Sequence, residues 1–339
     1  MKVGTMPSRG YWSLGVILTV APLLIYKTTS SIGVLSSAWT SHTIRARPQI
    51  VGLSPMPEIS VLQRSLNYFA AIWPALVFGI LIGAAVRAFV SPEWFRRVLK
   101  QRSLKTQFAA GLAGAPLMLC SCCVAPIFTS VAERSARIGP ALALMLASPA
   151  LNPAALALTF MLFEPRIGIG RALISMLAVA LIGPATERIF QNGTLRKTAQ
   201  PETTETVRES ASLRFLRAVA TVSIRTIPVL VAGLFASMFI VQWLPAHALE
   251  SAGTRVAAIL IAATVAVPLA LPTFLEIPLA LGLLAGGFPA GAAVALLFAG
   301  PVVNLPSLFS VARVSGWRLA ATVAGMVWIL AVCGGLLIG

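Results

Sequence analysis

The sequence predicts an all-α, polytopic membrane helix bundle built from two internal repeats of inverted topology, each with a broken or re-entrant helix pair. Three observations carry that prediction. The 339 residues are 58% hydrophobic and only 11% charged, with a mean hydropathy of +0.88, whereas soluble chains carry about 25% charged residues. Several charge-free windows are long enough to cross a hydrocarbon core of roughly 30 Å as helices, which alone satisfy their backbone there. Two stretches on either side of a polar linker also share an ungapped register.

The first element expected is an apolar run from Trp12 to Tyr26, preceded by Lys2 and Arg9. It reads as a retained first span; the alternative is a signal-peptide core with a poor cleavage site at Ser36-Ser37-Ala38. A polar segment, about 27–64, follows. Apolar segments are expected near 66–90, 107–131, 139–163 and 167–186, then a Thr/Glu-rich linker at 191–217. Four more are expected near 218–244, 255–287, 289–312 and 319–338. The resulting domains are 1–64 (N-terminal segment and loop), 65–190 (first membrane repeat), 191–217 (linker) and 218–339 (second repeat).

The repeat is read from special residues in one frame. "YFAAIWPALVFGIL" (68–81) resembles "TVSIRTIPVLVAGLF" (221–235) around Pro74 and Pro228. From 124 to 156 the chain aligns with 276–308 without a gap, placing Pro126, Gly139, Pro149 and Asn152 opposite Pro278, Gly291, Pro301 and Asn304. Duplicated halves are characteristic of secondary transporters. If all nine apolar segments span, the loop Lys and Arg, with Arg166 and Arg171 counted among them, show no bias to either side. Making 107–131 and 255–287 hairpins gathers a clear majority on one side, as positive-inside topology requires, and inverts the second half.

Net charge is +16, but the basic residues flank apolar spans and no soluble basic domain exists to form a nucleic-acid groove. Nucleic acid is therefore not an expected partner; the lipid bilayer is. All ten acidic residues are Glu.

The candidate site is "GAPLMLCSCCVAPIFTSVAE" (114–133), where Cys120, Ser121, Cys122 and Cys123 lie between Pro116 and Pro126. Proline removes a backbone donor and clashes with the preceding turn. Unwound backbone at membrane depth is a common way to build a midplane site. Cys120 and Cys123 share a face on a helix, Cys120 and Cys122 in extended chain; either pair suits a soft ion such as Cu(I), a zinc-type ion or trivalent arsenic or antimony. Cys120, Cys122 and Cys123 are thus candidate metal ligands and, with Ser121, candidate substrate-binding residues. Packing is the competing reading, since cysteine is also a small hydrophobe, and it is the reading taken for Cys333. Asn152 in "SPALNP" and Asn304 in "GPVVNLP" either line the cavity or hydrogen-bond between helices. Glu276 is the only acidic residue inside an apolar segment. Such a carboxylate is a functional candidate by default and is read as a proton-coupling group, or else as a structural Glu bonded to freed backbone near Pro272.

"CSCCVAP" followed by "SPALNP" resembles the predicted permeases that include the organoarsenical efflux permease ArsP and YraQ-type proteins. The resemblance covers roughly 65–338. It implies metal or metalloid efflux, with Cys120 and Cys122 at the matching thiols. Cys123 stands where that pattern has Gly or Ser, and "LPTFLEIP" supplies Thr273 and Glu276 where arsenical members carry other polar or thiol groups; Thr273 joins the substrate-binding candidates. The function expected is secondary export of a small soft ion or metalloid solute from the cell, through the inner (cytoplasmic) membrane. The protein is expected to be neither an enzyme nor a cofactor binder. A membrane thiol-disulfide oxidoreductase using the cysteine cluster is the alternative, and a non-transporting scaffold the third.

Overall fold

The computed structural model describes residues 9–41, 60–90, 104–134, 137–190, 210–243, 254–271 and 274–339. Regular structure among them is entirely helical. The helices are α1 (Arg9–Ser41), α2 (Val61–Phe89), α3 (Leu104–Gly114), α4 (Ser121–Arg134), α5 (Gly139–Ala150), α6 (Pro153–Leu162), α7 (Pro165–Ile189), α8 (Ala211–Trp243), α9 (Arg255–Ala266), α10 (Glu276–Ala285), α11 (Ala290–Val302), α12 (Leu305–Ser315) and α13 (Trp317–Ile338). Among the described residues, six stretches are long and apolar enough to cross a membrane: 17–41, α2, α5 with α6, α7, 211–239 and α13. A seventh is α11 with α12, bent by 49°.

Both segments expected to break do so. The first turns from α3 through a 3₁₀ turn at Ala115–Leu117 and a left-handed Met118 (φ 49°) before α4 starts. The second leaves α9, passes Pro268 and a left-handed Phe274 (φ 75°), and enters α10 at Glu276. Pro272 lies outside the described residues. Pro126 does not bound the first break; it lies inside α4, where it has no N–H to give the Cys122 carbonyl.

Three boundaries differ from the expected ones. Helix α1 continues far past Tyr26, and there the hydroxyls of Thr29, Ser36, Ser37, Thr40 and Ser41 bond carbonyls three or four residues back, so these polar side chains are satisfied within the helix. Helix α8 begins at Ala211, inside the stretch read as linker. The segments 139–163 and 289–312 are each cut at an asparagine, Asn152 and Asn304.

The core is α5 and α11, buried on nearly every face. Around them, α1, α7, α8 and α13 turn residues such as Ile17, Leu173, Ile224 and Leu337 outward, the surface a bilayer covers. Small residues allow close approach where α2 crosses α4: a Cβ on Gly79 would lie 2.1 Å from the Cys123 carbonyl oxygen, and on Gly83 2.7 Å from that of Pro126. This is the GxxxG device of membrane helices.

Three contacts fix which ends lie together. Arg87, near the end of α2, pairs with Glu133, near the end of α4. Glu187, near the end of α7, pairs with Arg137 and accepts from the Gly139 amide at 2.9 Å, with Gln107 of α3 beside Gly139. At the opposite end of α7, Gly170 packs on Ile338 of α13 and Ile174 on Gly334, so α7 and α13 run antiparallel. There the start of α11 (Gly291) meets Ile259 of α9 and Gly335 of α13.

Candidate functional site

The cysteine segment is held from both sides. Ser148 of α5 accepts a hydrogen bond from the Leu119 amide (3.1 Å) and donates to the Leu119 carbonyl (3.3 Å). The Cys120 carbonyl accepts from the amides of Cys123 and Val124 at 3.0 and 3.1 Å, starting α4. Cys120 is therefore the last residue of the break, while Cys122 and Cys123 lie in the first helical turn. That position merges the two expected pairings. Cys120 Sγ lies 3.1 Å from Cys122 Sγ and 2.8 Å from Cys123 Sγ, and the latter two are 3.9 Å apart.

All three thiols are free and buried, whereas Cys333 is exposed, facing outward from α13 rather than packed inside. The Tyr68 hydroxyl of α2 contacts Cys122 Sγ at 3.3 Å. Nothing in the sequence marks Tyr68; only packing brings it, 54 residues away, to the thiols. Ser121 is fully buried, and its hydroxyl has no hydrogen-bond partner among the described residues.

The asparagines take a role outside both expected readings: each caps a helix. Asn152 Oδ1 accepts from the amides of Ala154 and Ala155, opening α6. Asn304 Oδ1 accepts from the Ser307 amide at 3.0 Å while Ser307 Oγ accepts from the Asn304 amide, a capping box that opens α12. The Asn304 Nδ2 group stays buried without a partner among the described residues. Thr273 lies outside the described residues.

Glu276 is not in mid-helix; it starts α10 at the second break. Its partner is Arg171, at 3.1 Å, and both side chains are almost fully buried. Arg171 Nη1 also donates to Thr159 Oγ1 at 2.7 Å. Arg171, expected from the sequence to be a loop charge, lies instead inside α7. A guanidinium is tolerated at such depth only with a partner, and Glu276 is that partner. The signal was present in the sequence, because Arg171 falls within the apolar run 167–186. The pair is not beside the thiols, which are enclosed by α2, α5, α8 and α12.

Two cavities lie on the seam between α2, α4, α8 and α12. A gap of about 10 Å³ touches Cys122, Tyr68, Leu230 and Pro306. Farther along the same helices, a vestibule of about 290 Å³ opens among Arg87, Ser130, Glu133, Arg225, Ser310 and Arg313.

Residues 60–339 match a family model described as a predicted permease. The chain is similar to UPF0718 protein YraQ of Escherichia coli (strain K12), 27% identical over 301 residues, which cover 87% of this chain and 85% of that protein. It is also similar to UPF0718 protein MJ0584 of Methanocaldococcus jannaschii, 22% identical over 327 residues, covering 77% of this chain and 90% of that protein. No solved structure matches. With long apolar helices wrapped around two broken ones, and a family match over most of its length, the chain belongs to the predicted permease family and is a multi-pass membrane transport protein.

Proposed function

We propose that the protein exports a thiophilic metal or metalloid species from the cell by secondary transport across the inner (cytoplasmic) membrane, binding it at Cys120, Cys122 and Cys123. The observation that carries this reading is the convergence of three buried free thiols within 4.8 Å of one another. From their separations, a point about 2 Å from all three sulfurs exists, shorter than a metal–sulfur bond of about 2.3 Å. A bound atom would therefore sit about 1 Å out of the sulfur plane, as the apex of a pyramid. Three-coordinate pyramidal bonding is the habit of trivalent arsenic and antimony, whereas structural zinc takes four ligands. Deep burial argues against the oxidoreductase alternative, because thiol–disulfide exchange needs a partner thiol to reach the sulfur.

Alternating access suits the architecture. Each helix of α3–α7 has a counterpart in α9–α13 at a near-constant offset along the chain, and each set holds a broken pair followed by an Asn-capped break. Arg87 with Glu133 puts the end of α4 level with the end of α2, and Gln107 puts the start of α3 level with the end of α7; both favour a re-entrant α3–α4 pair. The antiparallel α7 and α13, with the two sets' starting residues at opposite ends of α7, favour inverted repeats. In this reading the repeat boundaries stay at 65–190 and 218–339, and export is powered by proton coupling through Glu276. A proton arriving at Glu276 removes its attraction for Arg171 and frees α10 from α7. Thr273, Asn152 and Asn304 would contribute polar groups near the breaks.

The test is transport of phenylarsenite, cadmium and Cu(I) into everted membrane vesicles, read by elemental analysis. Uptake of at least one should vanish in Cys120→Ser/Cys122→Ser, and unchanged uptake of all three in that variant defeats the proposal. For coupling, Glu276→Gln should retain binding yet lose the response of uptake to an imposed pH gradient. Uphill uptake by that variant under a proton gradient removes Glu276 from the coupling step.

A further inference from the structure

The vestibule lies on the seam that leads to the thiols, about 10 Å along α4 from Cys123 to Ser130 at 1.5 Å per residue. Among the described residues, three guanidiniums, Arg87 of α2, Arg225 of α8 and Arg313 of α12, face one carboxylate, Glu133 of α4. Glu133 is shared between Arg87 and Arg225. Arg313 has no ion-pair partner among the described residues, and Thr129, Ser130, Thr226 and Ser310 add hydroxyls to the wall.

Low-dielectric walls focus the field of such a cluster onto the space between them. A bare metal cation entering here meets net repulsion, while a carboxylate meets guanidinium forks matched to its two oxygens. At about 290 Å³ the space is at the small end of ligand pockets, about 300–1,000 Å³, and admits one short or single-ring solute.

We propose that the vestibule is a binding site for a small carboxylate-bearing solute, and that Arg225 and Arg313 hold its carboxylate. The cargo of the thiol site then arrives as an organic acid carrying the soft atom, not as a free cation. This last step rests on the reading of the thiols as a soft-atom site; the anion site stands on the vestibule alone.

The experiment is calorimetric titration of the full chain in phosphatidylcholine nanodiscs with benzoate, with neutral benzamide, and with 4-carboxyphenylarsenous acid. Benzoate should bind and benzamide should bind at least about tenfold more weakly, the worth of a charge-assisted hydrogen bond. Arg225→Gln/Arg313→Gln should lower benzoate affinity about tenfold or more, and Arg225→Lys/Arg313→Lys, which keeps the charges but loses the forks, should fall between that variant and the parent. Cys120→Ser/Cys122→Ser should bind benzoate like the parent while losing its hold on the arsenical, so failure at the thiols and failure at the vestibule give different results. Equal affinity for benzoate and benzamide overturns the proposal, as does benzoate binding that ignores the Gln substitutions. Loss of all benzoate binding on adding phosphatidylglycerol also overturns it, assigning the arginines to lipid headgroups.

Discussion

The two broken segments are built alike and end on different chemistry. Each interrupts an apolar stretch, passes through one left-handed non-glycine residue, and enters a short helix with a proline inside it: Met118 and Pro126 in the first, Phe274 and Pro278 in the second. The first break ends in three thiols that meet one another and a tyrosine hydroxyl. The second ends in a carboxylate already held by Arg171 from another helix. The contrast separates thiols that form no ion pair among the described residues, the place of solute binding in the proposed reading, from a carboxylate already paired with Arg171, the latch in that reading.

Removing the thiols should have the largest effect. Cys120→Ser/Cys122→Ser keeps side-chain size but replaces soft sulfur by hard oxygen, so retention of phenylarsenite on the purified protein should fall at least about a hundredfold. Melting temperature should change little. Cys333→Ser, on the outer face of α13, should leave both unchanged. Equal losses in the two variants would remove the first break as the place where the arsenical is held.

Next comes the latch. Arg171→Met leaves Glu276 buried without a counter-charge and should destabilise the protein by about 3–5 kcal/mol, read by thermal unfolding in detergent. The double variant Arg171→Met/Glu276→Leu should recover most of that loss, because replacing both members of a buried pair is often near neutral. A double variant as unstable as the single one would mean that the helix contact, not the pairing, holds α10 to α7.

The same contrast explains what was legible in the sequence. Prolines and unusual residues in apolar surroundings are local signals, so both breaks, the cysteine group and Glu276 could be read directly. Partners at long range could not. Tyr68 looks like any helical aromatic, and although Arg171 stands out within an apolar run, its partner lies 105 residues away. The asparagines were visible as polar groups in apolar helices, but their role depends on where the helix is cut, a choice made by packing around α5 and α11. The hydroxyl-rich end of α1 misled for the opposite reason: its bonds are local, but composition alone reads Ser and Thr as loop. Gly79 and Gly83 matter only once α4 is known to cross α2 there.

That crossing gives a third, smaller effect. Gly79→Ala places a methyl group 2.1 Å from the Cys123 carbonyl oxygen, a backbone atom that can yield only by moving α4. The expected cost is about 1–3 kcal/mol, with loss of thiol-site affinity as the sulfurs shift. Gly33→Ala, with open space around it, is the control and should be neutral or slightly stabilising. Stability loss with full phenylarsenite retention would show that α4 can move without carrying the thiols along.

The smallest effect tests whether Tyr68 belongs to the thiol site or merely adjoins it. Its ring is buried in the core and its hydroxyl sits 3.3 Å from Cys122 Sγ, so Tyr68→Phe deletes one hydrogen bond and almost no packing. A net hydrogen bond is worth about 0.5–1.5 kcal/mol, which predicts a small fall in melting temperature. If the hydroxyl orients the Cys122 sulfur, phenylarsenite affinity should weaken by about two- to tenfold, while Cys120 and Cys123 still hold the atom. A loss as large as that of the double Cys→Ser variant would promote the phenol oxygen to a direct ligand and make the site four-coordinate. No change in affinity alongside the small stability loss would confine Tyr68 to packing, and would leave the first break with thiols alone, the simplest form of its contrast with the second.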